Sequence, residues 1–176
     1  MHLDLSTLDA GLPRIKEAPA DGGTVELIVR RPVEDEREIL TEARLDPLLG
    51  LVGDRWSTMG TDDSDRQLTL INTRLVDLVA TSRDRWSLAG DQLYVDLDLS
   101  TANLPVGTRL GIGPAVLEVT SAPHRGCKKF AARFGLDALR FVNNEQAYAL
   151  RLRGMYVRVV EGGVVRAGDV IRKLAA

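Results

Sequence analysis

Apolar residues recur along the chain at two spacings, and each predicts its own kind of element. Thr24-Val25-Glu26-Leu27-Ile28-Val29 is rich in β-branched positions and predicts a first strand ending before Pro32. Arg66 to Ile71 reads as another strand, and Gln92 to Leu97 alternates polar with apolar, the pattern of a half-buried one. Thr108 to Ile112 and Ala115 to Thr120 form a pair joined through Gly113-Pro114. The last part of the chain breaks into short strands at Tyr148 to Leu152, Met155 to Val160, Val164-Val165 and Asp169 to Leu174, punctuated by Gly154, Gly162-Gly163 and Gly168. The helical spacing is scarcer. Glu34 to Ala43 places acids first and Ile39, Leu40 and Ala43 on one face. Asn72 caps a helix running to Ser82, with Leu75, Val76, Leu78 and Val79 inward. A short helix from about Cys127 meets a stop at Gly135, and a second piece follows over Leu136 to Val142. Arg83 to Gly90 reads as a turn.

Many short strands with glycine turns and a few helices predict a mostly β (α+β) fold: a closed β-barrel with short helices packed outside. Strand and helix never alternate regularly, which argues against a doubly wound sheet. Residues 1–23, with Pro13, Pro19, Gly22 and Gly23, read as an N-terminal arm that settles onto a single barrel domain spanning 24–174.

Composition narrows the function. Hydrophobic residues make up 44 % of the 176 positions and charged residues 27 %, ordinary for one globular domain with a sizeable core. A formal net charge of -2 gives no general drive toward nucleic acid or a membrane surface. One cysteine cannot form an internal disulfide or a four-cysteine zinc site. Met1 to Pro19 lacks the continuous apolar stretch of a signal peptide, so a cytoplasmic protein is expected.

That single cysteine stands in Pro123-His124-Arg125-Gly126-Cys127-Lys128-Lys129-Phe130, beside one of only two histidines. Nearby cations and a helix N-terminus both favour a thiolate, the form that attacks electrophiles. Lysines in a helix's first turn oppose its dipole, so burying sulfur does not explain them, although a lone cysteine also reads as a small buried hydrophobe. His124 sits three residues away and is a candidate acid or base near neutral pH. Gly50-Leu51-Val52-Gly53-Asp54-Arg55 is a compact turn that either presents Asp54 and Arg55 to a ligand or is tied by an internal ion pair. Gly60 to Asp65 lacks the pattern of a calcium loop and reads as a solvated turn.

Taken in series, Gly50 to Arg55, Gly107-Thr108-Arg109-Leu110-Gly111-Ile112-Gly113, His124-x-x-Cys127-Lys128, Arg153-Gly154-Met155-Tyr156-Val157 and Gly162 to Asp169 resemble the MOSC domain, named for the C-terminal domain of molybdenum cofactor sulfurases. The resemblance covers about residues 24–174. It implies a barrel like the one inserted in pyruvate kinase, and an association with the molybdenum cofactor. It also implies sulfur carriage, with Cys127 in the family cysteine's place as a persulfide and Lys128 and His124 beside it. Pyridoxal phosphate would then act only through a separate desulfurase, the sulfur donor, and the acceptor would be a molybdoenzyme or a small molecule. On this reading Arg125 and Lys128 hold the sulfur ionised, and Arg55, Arg66, Arg125, Arg151 and Arg153 are the candidates for gripping the cofactor's phosphate and polar edges. Arg151 and Arg153 would share one face of the expected strand at 148–152 and its extension. Two other readings stand beside this one. One is a cofactor- or molybdopterin-binding module without turnover, in which Cys127 is a ligand or a bystander. The other is detoxification of N-hydroxylated compounds, by analogy to standalone relatives whose histidine-glycine-glycine stretch this chain lacks.

Overall fold

The computed structural model describes residues 1–176, with eleven strands and five α-helices. In chain order these are α1 (Leu5–Lys16), β1 (Gly23–Arg30), β2 (Glu38–Leu40), β3 (Glu42–Asp46), β4 (Gly50–Leu51), β5 (Leu68–Asn72), α2 (Thr73–Ala80), β6 (Leu93–Asp96), β7 (Arg109–Ile112), β8 (Ala115–Val119), α3 (Lys128–Phe134), α4 (Leu136–Asn143), α5 (Glu145–Leu150), β9 (Met155–Glu161), β10 (Gly163–Arg166) and β11 (Val170–Lys173).

Seven strands close a barrel in the order β1-β6-β5-β9-β8-β7-β11, and the β11–β1 pairing returns to the start. All neighbours are antiparallel except β5 and β6, which are joined through α2. Strand β2 extends β1 outward, and β3, β4 and β10 form a separate three-stranded sheet. No helix is long and apolar enough to cross a membrane.

The period-2 alternation of a strand sorts side chains between two cores. Val25, Ile28, Leu68, Leu70, Leu93 and Val95 point into the barrel, within a cluster of 22 buried residues. Their neighbours Val29, Ile71 and Tyr94 point outward into a second cluster of 18, where α1, α2, α3 and α4 contribute Leu8, Leu75, Val76, Phe130, Phe134 and Phe141. Strands β5 and β6 are therefore covered on both faces, and the half-buried strand expected over 92–97 is instead sandwiched, with Tyr94 fully buried.

Two local expectations are corrected. The helix expected over 34–43 is strand: Ile39 pairs with Val29 and Leu40 with Ile28, and Asp35 turns the chain at φ 61°. Pairing with β1 outweighs the weak helical preference of this segment. The expected strand at 148–152 is the end of α5, capped by the Asn144 side chain, and Arg151 stops it in the left-handed region. The first 23 residues hold a twelve-residue helix whose Leu8 and Ile15 are buried in the second core, and the 83–90 turn is a short 3-10 helix. The helices at 73–80, 128–134 and 136–143 lie where the spacing predicts them, with Gly135 ending the second.

The turn from α5 into β9 requires a glycine. Gly154 adopts φ +103°, and a Cβ there would stand 2.5 Å from the Leu70 carbonyl oxygen. Gly154→Ala is expected to lower stability by roughly 2–4 kcal/mol, combining backbone strain with a clash against a fixed strand. Urea denaturation checks this as a lower midpoint at unchanged slope.

Candidate functional site

One end of the barrel, where β1, β5 and β9 meet α3 and the 55–66 segment, encloses a cleft of about 530 Å³. Its inner wall rests on two buried ion pairs. Asp54 has a fully buried side chain and accepts from Arg31 at 2.8 and 3.0 Å, from the Arg31 amide at 2.8 Å and from the Trp56 amide at 3.1 Å. Arg31 also donates to the Gly90 carbonyl. Of the two readings of the Gly50–Arg55 turn, the tied one describes Asp54, although its partner is Arg31 rather than Arg55. The second pair is Asp91 with Arg153, 2.7 Å apart, where Arg153 also donates to the Ala89 carbonyl and lies over the Phe130 ring. Burial pushes the Asp91 carboxyl up, against the pull of Arg153.

His124 completes this cluster. Its side chain is 9 % exposed, its ring stacks on Tyr156 at 4.7 Å, and its Nε2 lies 3.8 Å from Asp91. Its Nδ1, Asp91 Oδ1 and Arg153 Nε have no hydrogen-bond partner. Burial, then Arg153 and Arg31, hold the His124 pKa well below its ordinary 6.5, so the ring is neutral at pH 7. Burial also raises the Tyr156 phenol.

Cys127 is exposed and lines the cleft, at the N-cap position of α3. The residue before it is clamped: the Gly126 amide donates to Asn143 Oδ1 at 2.8 Å, and Asn143 Nδ2 donates to the Gly126 carbonyl at 3.0 Å. A Cβ at Gly126 would meet the Leu139 and Val142 side chains within 3 Å, so glycine lets α4 approach without those side chains shifting. The expectation that the helix N–H groups point at the sulfur is corrected: the Cys127 side chain makes no capping hydrogen bond.

Seven arginines line the same cleft: Arg31, Arg37, Arg55, Arg66, Arg125, Arg133 and Arg153. Lys129 joins them, while only Asp35, Glu36 and Asp63 oppose them on the lining. Some are already occupied. Arg66 is paired with Asp63 at 2.6 Å, Arg133 with Asp35, and Lys129 with Glu34 at 2.5 Å and Asp35 at 3.3 Å. Arg37, Arg55 and Arg125 have no carboxylate partner.

Of the sequence candidates, Cys127, His124, Arg55, Arg66, Arg125 and Arg153 come together here. Lys128 is exposed and lies outside the cleft lining. Arg151 does not share a strand face with Arg153, because no strand forms there. It donates instead to the Leu99 and Leu104 carbonyls and faces a second cavity. Sequence reasoning missed Arg31, Arg37, Arg133 and Asp91. Arg30-Arg31 at the end of a strand carried a usable signal, since alternation must turn one of two consecutive arginines inward.

The MOSC domain model matches residues 48–172, the span that contains most of the barrel and the cysteine segment. The chain belongs to the MOSC domain family. Solved structures agree on the fold. The YuaD protein from Bacillus subtilis superposes with a TM-score of 0.62 at 15% identity, over 85% of this chain and 93% of its own. YiiM from Escherichia coli gives 0.57 at 19% identity, over 87% and 70%, and YiiM from Geobacillus stearothermophilus gives 0.59 at 15%, over 87% and 75%. No curated protein gives a significant sequence match. The MOSC family is associated with the molybdenum cofactor, and the fold and family of this chain are consistent with a module of that kind.

The buried imidazole predicts a pH dependence of stability. Because the folded protein holds His124 neutral, the unfolded chain binds the extra proton once pH falls below the ordinary value of 6.5. The stability contribution is thus complete above that value and is lost as pH drops toward the lower folded-state pKa. From pH 6.5 to 5.5 this one group removes about 1 kcal/mol. His124→Phe, which keeps a ring against Tyr156, should flatten the slope in that window when denaturant midpoints are compared.

Proposed function

We propose that this MOSC domain binds the molybdenum cofactor, or its molybdopterin precursor, in the cationic cleft and that Cys127 carries sulfur for it as a persulfide. The observation that carries this reading is the presence of an accessible thiol on the same cleft as seven arginines. The donor set fits such a group. Arg37, Arg55 and Arg125 offer forked donors without a carboxylate partner, suited to a phosphate and to pterin edges. No group of three or more His, Cys, Asp or Glu side chains gathers as a metal cage, so the metal would arrive within its own organic ligand. When bound, the cofactor supplies a molybdenum centre able to take up sulfur.

The chain's own residues would do the following. Asp54 and Asp91 fix Arg31 and Arg153, leaving their remaining N–H groups for the ligand. Neutral His124 limits the positive charge packed beside Arg153. The Asn143 clamp on Gly126 sets where Cys127 stands. For loading, the Cys127 thiolate attacks the terminal sulfur of a desulfurase persulfide. One S–S bond forms as the donor's breaks, the donor cysteine leaves as a thiolate, and no outside oxidant is consumed.

Binding without sulfur transfer has one observation in its favour: the two lysines that follow Cys127 do not gather on it, since Lys129 is paired with Glu34 and Asp35 and Lys128 lies off the cleft.

Cys127→Ser separates the two readings. With a cysteine desulfurase and cysteine under oxygen-free conditions, the wild-type chain should gain the mass of one sulfur atom and the variant none. Molybdopterin retention should survive in the variant and fall at least about tenfold, ~1.4 kcal/mol, in Arg55→Glu. A wild-type chain that stays unmodified while retaining the pterin would establish binding without transfer.

A further inference from the structure

Behind the segment 120–126 lies a second cavity of about 290 Å³. His124, Arg125 and Arg153 stand in the wall it shares with the larger cleft, but its chemistry differs. No carboxylate lines it, whereas three arginines do, and Val142, Ala147 and Met155 supply an apolar surface. Two of those arginines are committed to the fold: Arg151 holds the Leu99 and Leu104 carbonyls, and Arg153 holds Asp91.

Arg125 is different. Its guanidinium lies 4.7 Å from the centre of the Tyr148 ring, with no ion pair or hydrogen bond to the protein. Tyr148 itself is 39 % exposed and lines the same cavity. A guanidinium held over an aromatic ring leaves N–H groups free for a carboxylate, which a guanidinium can receive by two parallel hydrogen bonds. The cavity is slightly smaller than the usual range for drug-sized ligands, so its occupant is compact. A polyanion gains little from the apolar side, and a neutral apolar molecule leaves Arg125 unanswered.

We propose that this cavity is a binding site for a compact aromatic monocarboxylate, its carboxylate on Arg125 and its ring against Val142, Ala147 and Met155. The site stands on its own lining and does not depend on what the larger cleft holds. Because Arg125 borders both spaces, an acid bound here also sets the position of one of the three arginines without a carboxylate partner in that cleft.

Benzoate is the probe, titrated into the full chain at low ionic strength and followed by amide chemical shifts. Saturable shifts are expected at Val142, Ala147 and Tyr148. Arg125→Gln should weaken binding at least about tenfold. Benzamide, the neutral counterpart, should bind wild type at least as much more weakly. Ala122→Phe, a change in the half-buried loop residue that lines only this cavity, should abolish the shifts. The proposal is overturned if wild type gives no saturable shift at these positions, if benzamide binds as well as benzoate, or if the shifts persist in both variants. Shifts confined to Arg55 and Trp56 would move the acid to the larger cleft and overturn it as well.

Discussion

The Asp91–Arg153 pair is the interaction on which the rest of the site depends. A carboxylate with no exposed surface, set just before β6, must find a cation or become neutral, and Arg153, just before β9, meets it at 2.7 Å. Strands β6 and β9 are not neighbours in the barrel; β5 lies between them, so the pair spans the top of three strands. Buried pairs of this kind add little net stability once desolvation is counted, but removing one partner is strongly destabilising. What this one gives is position. It fixes the α5–β9 turn, brings Arg153 over Phe130 of α3, and leaves His124 between Asp91 and Tyr156.

The Arg31–Asp54 pair repeats the device on the other side of the same cleft. In both, a fully buried aspartate holds one edge of a guanidinium while the residue still lines the open space. Two cations are thereby rigid before any ligand arrives, and less conformational entropy is lost on binding. The barrel makes this possible because β5 and β6 are covered on both faces. Helices packed on Ile71 and Tyr94 bring α3 against the barrel end, where its N-cap residue Cys127 shares the cleft with Arg31, just after β1, and Arg153, in the turn before β9.

Much of this was legible in the sequence, for identifiable reasons. Strands β1, β5, β7, β8 and β9 carry β-branched or alternating residues bounded by glycine or proline, and the Cys127–Gly135 helix has a clear stop. The misreadings fall where tertiary contacts outweigh local preference. Glu38 to Leu40 becomes strand because β1 offers an open edge, and Glu145 to Leu150 becomes helix because Asn144 caps it. Arg55, Arg66, Arg125 and Arg153 stand near motifs, whereas Arg31 and Arg37 cannot be grouped with Cys127 without knowing how the barrel closes; Arg133 shares the helix that Cys127 caps. Arg151 shows the converse. It sits two residues from Arg153 in sequence, yet a left-handed backbone turns it away to close the 99–104 loop.

The same distinction bears on how the cysteine works. Adjacent cations in the sequence suggest a sulfur ringed by Arg125, Lys128, Lys129 and His124; Arg125 does line the cleft with Cys127, but the other three are spent elsewhere or turned away. Lys129 tethers the α3 helix to the 34–35 loop, Lys128 lies off the cleft, and His124 is neutral because charging it beside Arg153 and Arg31 in a buried position is unfavourable. The positive field at this end of the barrel therefore comes from arginines lining the cleft, most of them distant in sequence. A field arranged in that way acts on whatever occupies the cleft at least as strongly as on the thiol at its edge. An anionic guest therefore meets Arg31 and Arg153 already held in place, with the exposed Cys127 on the same lining.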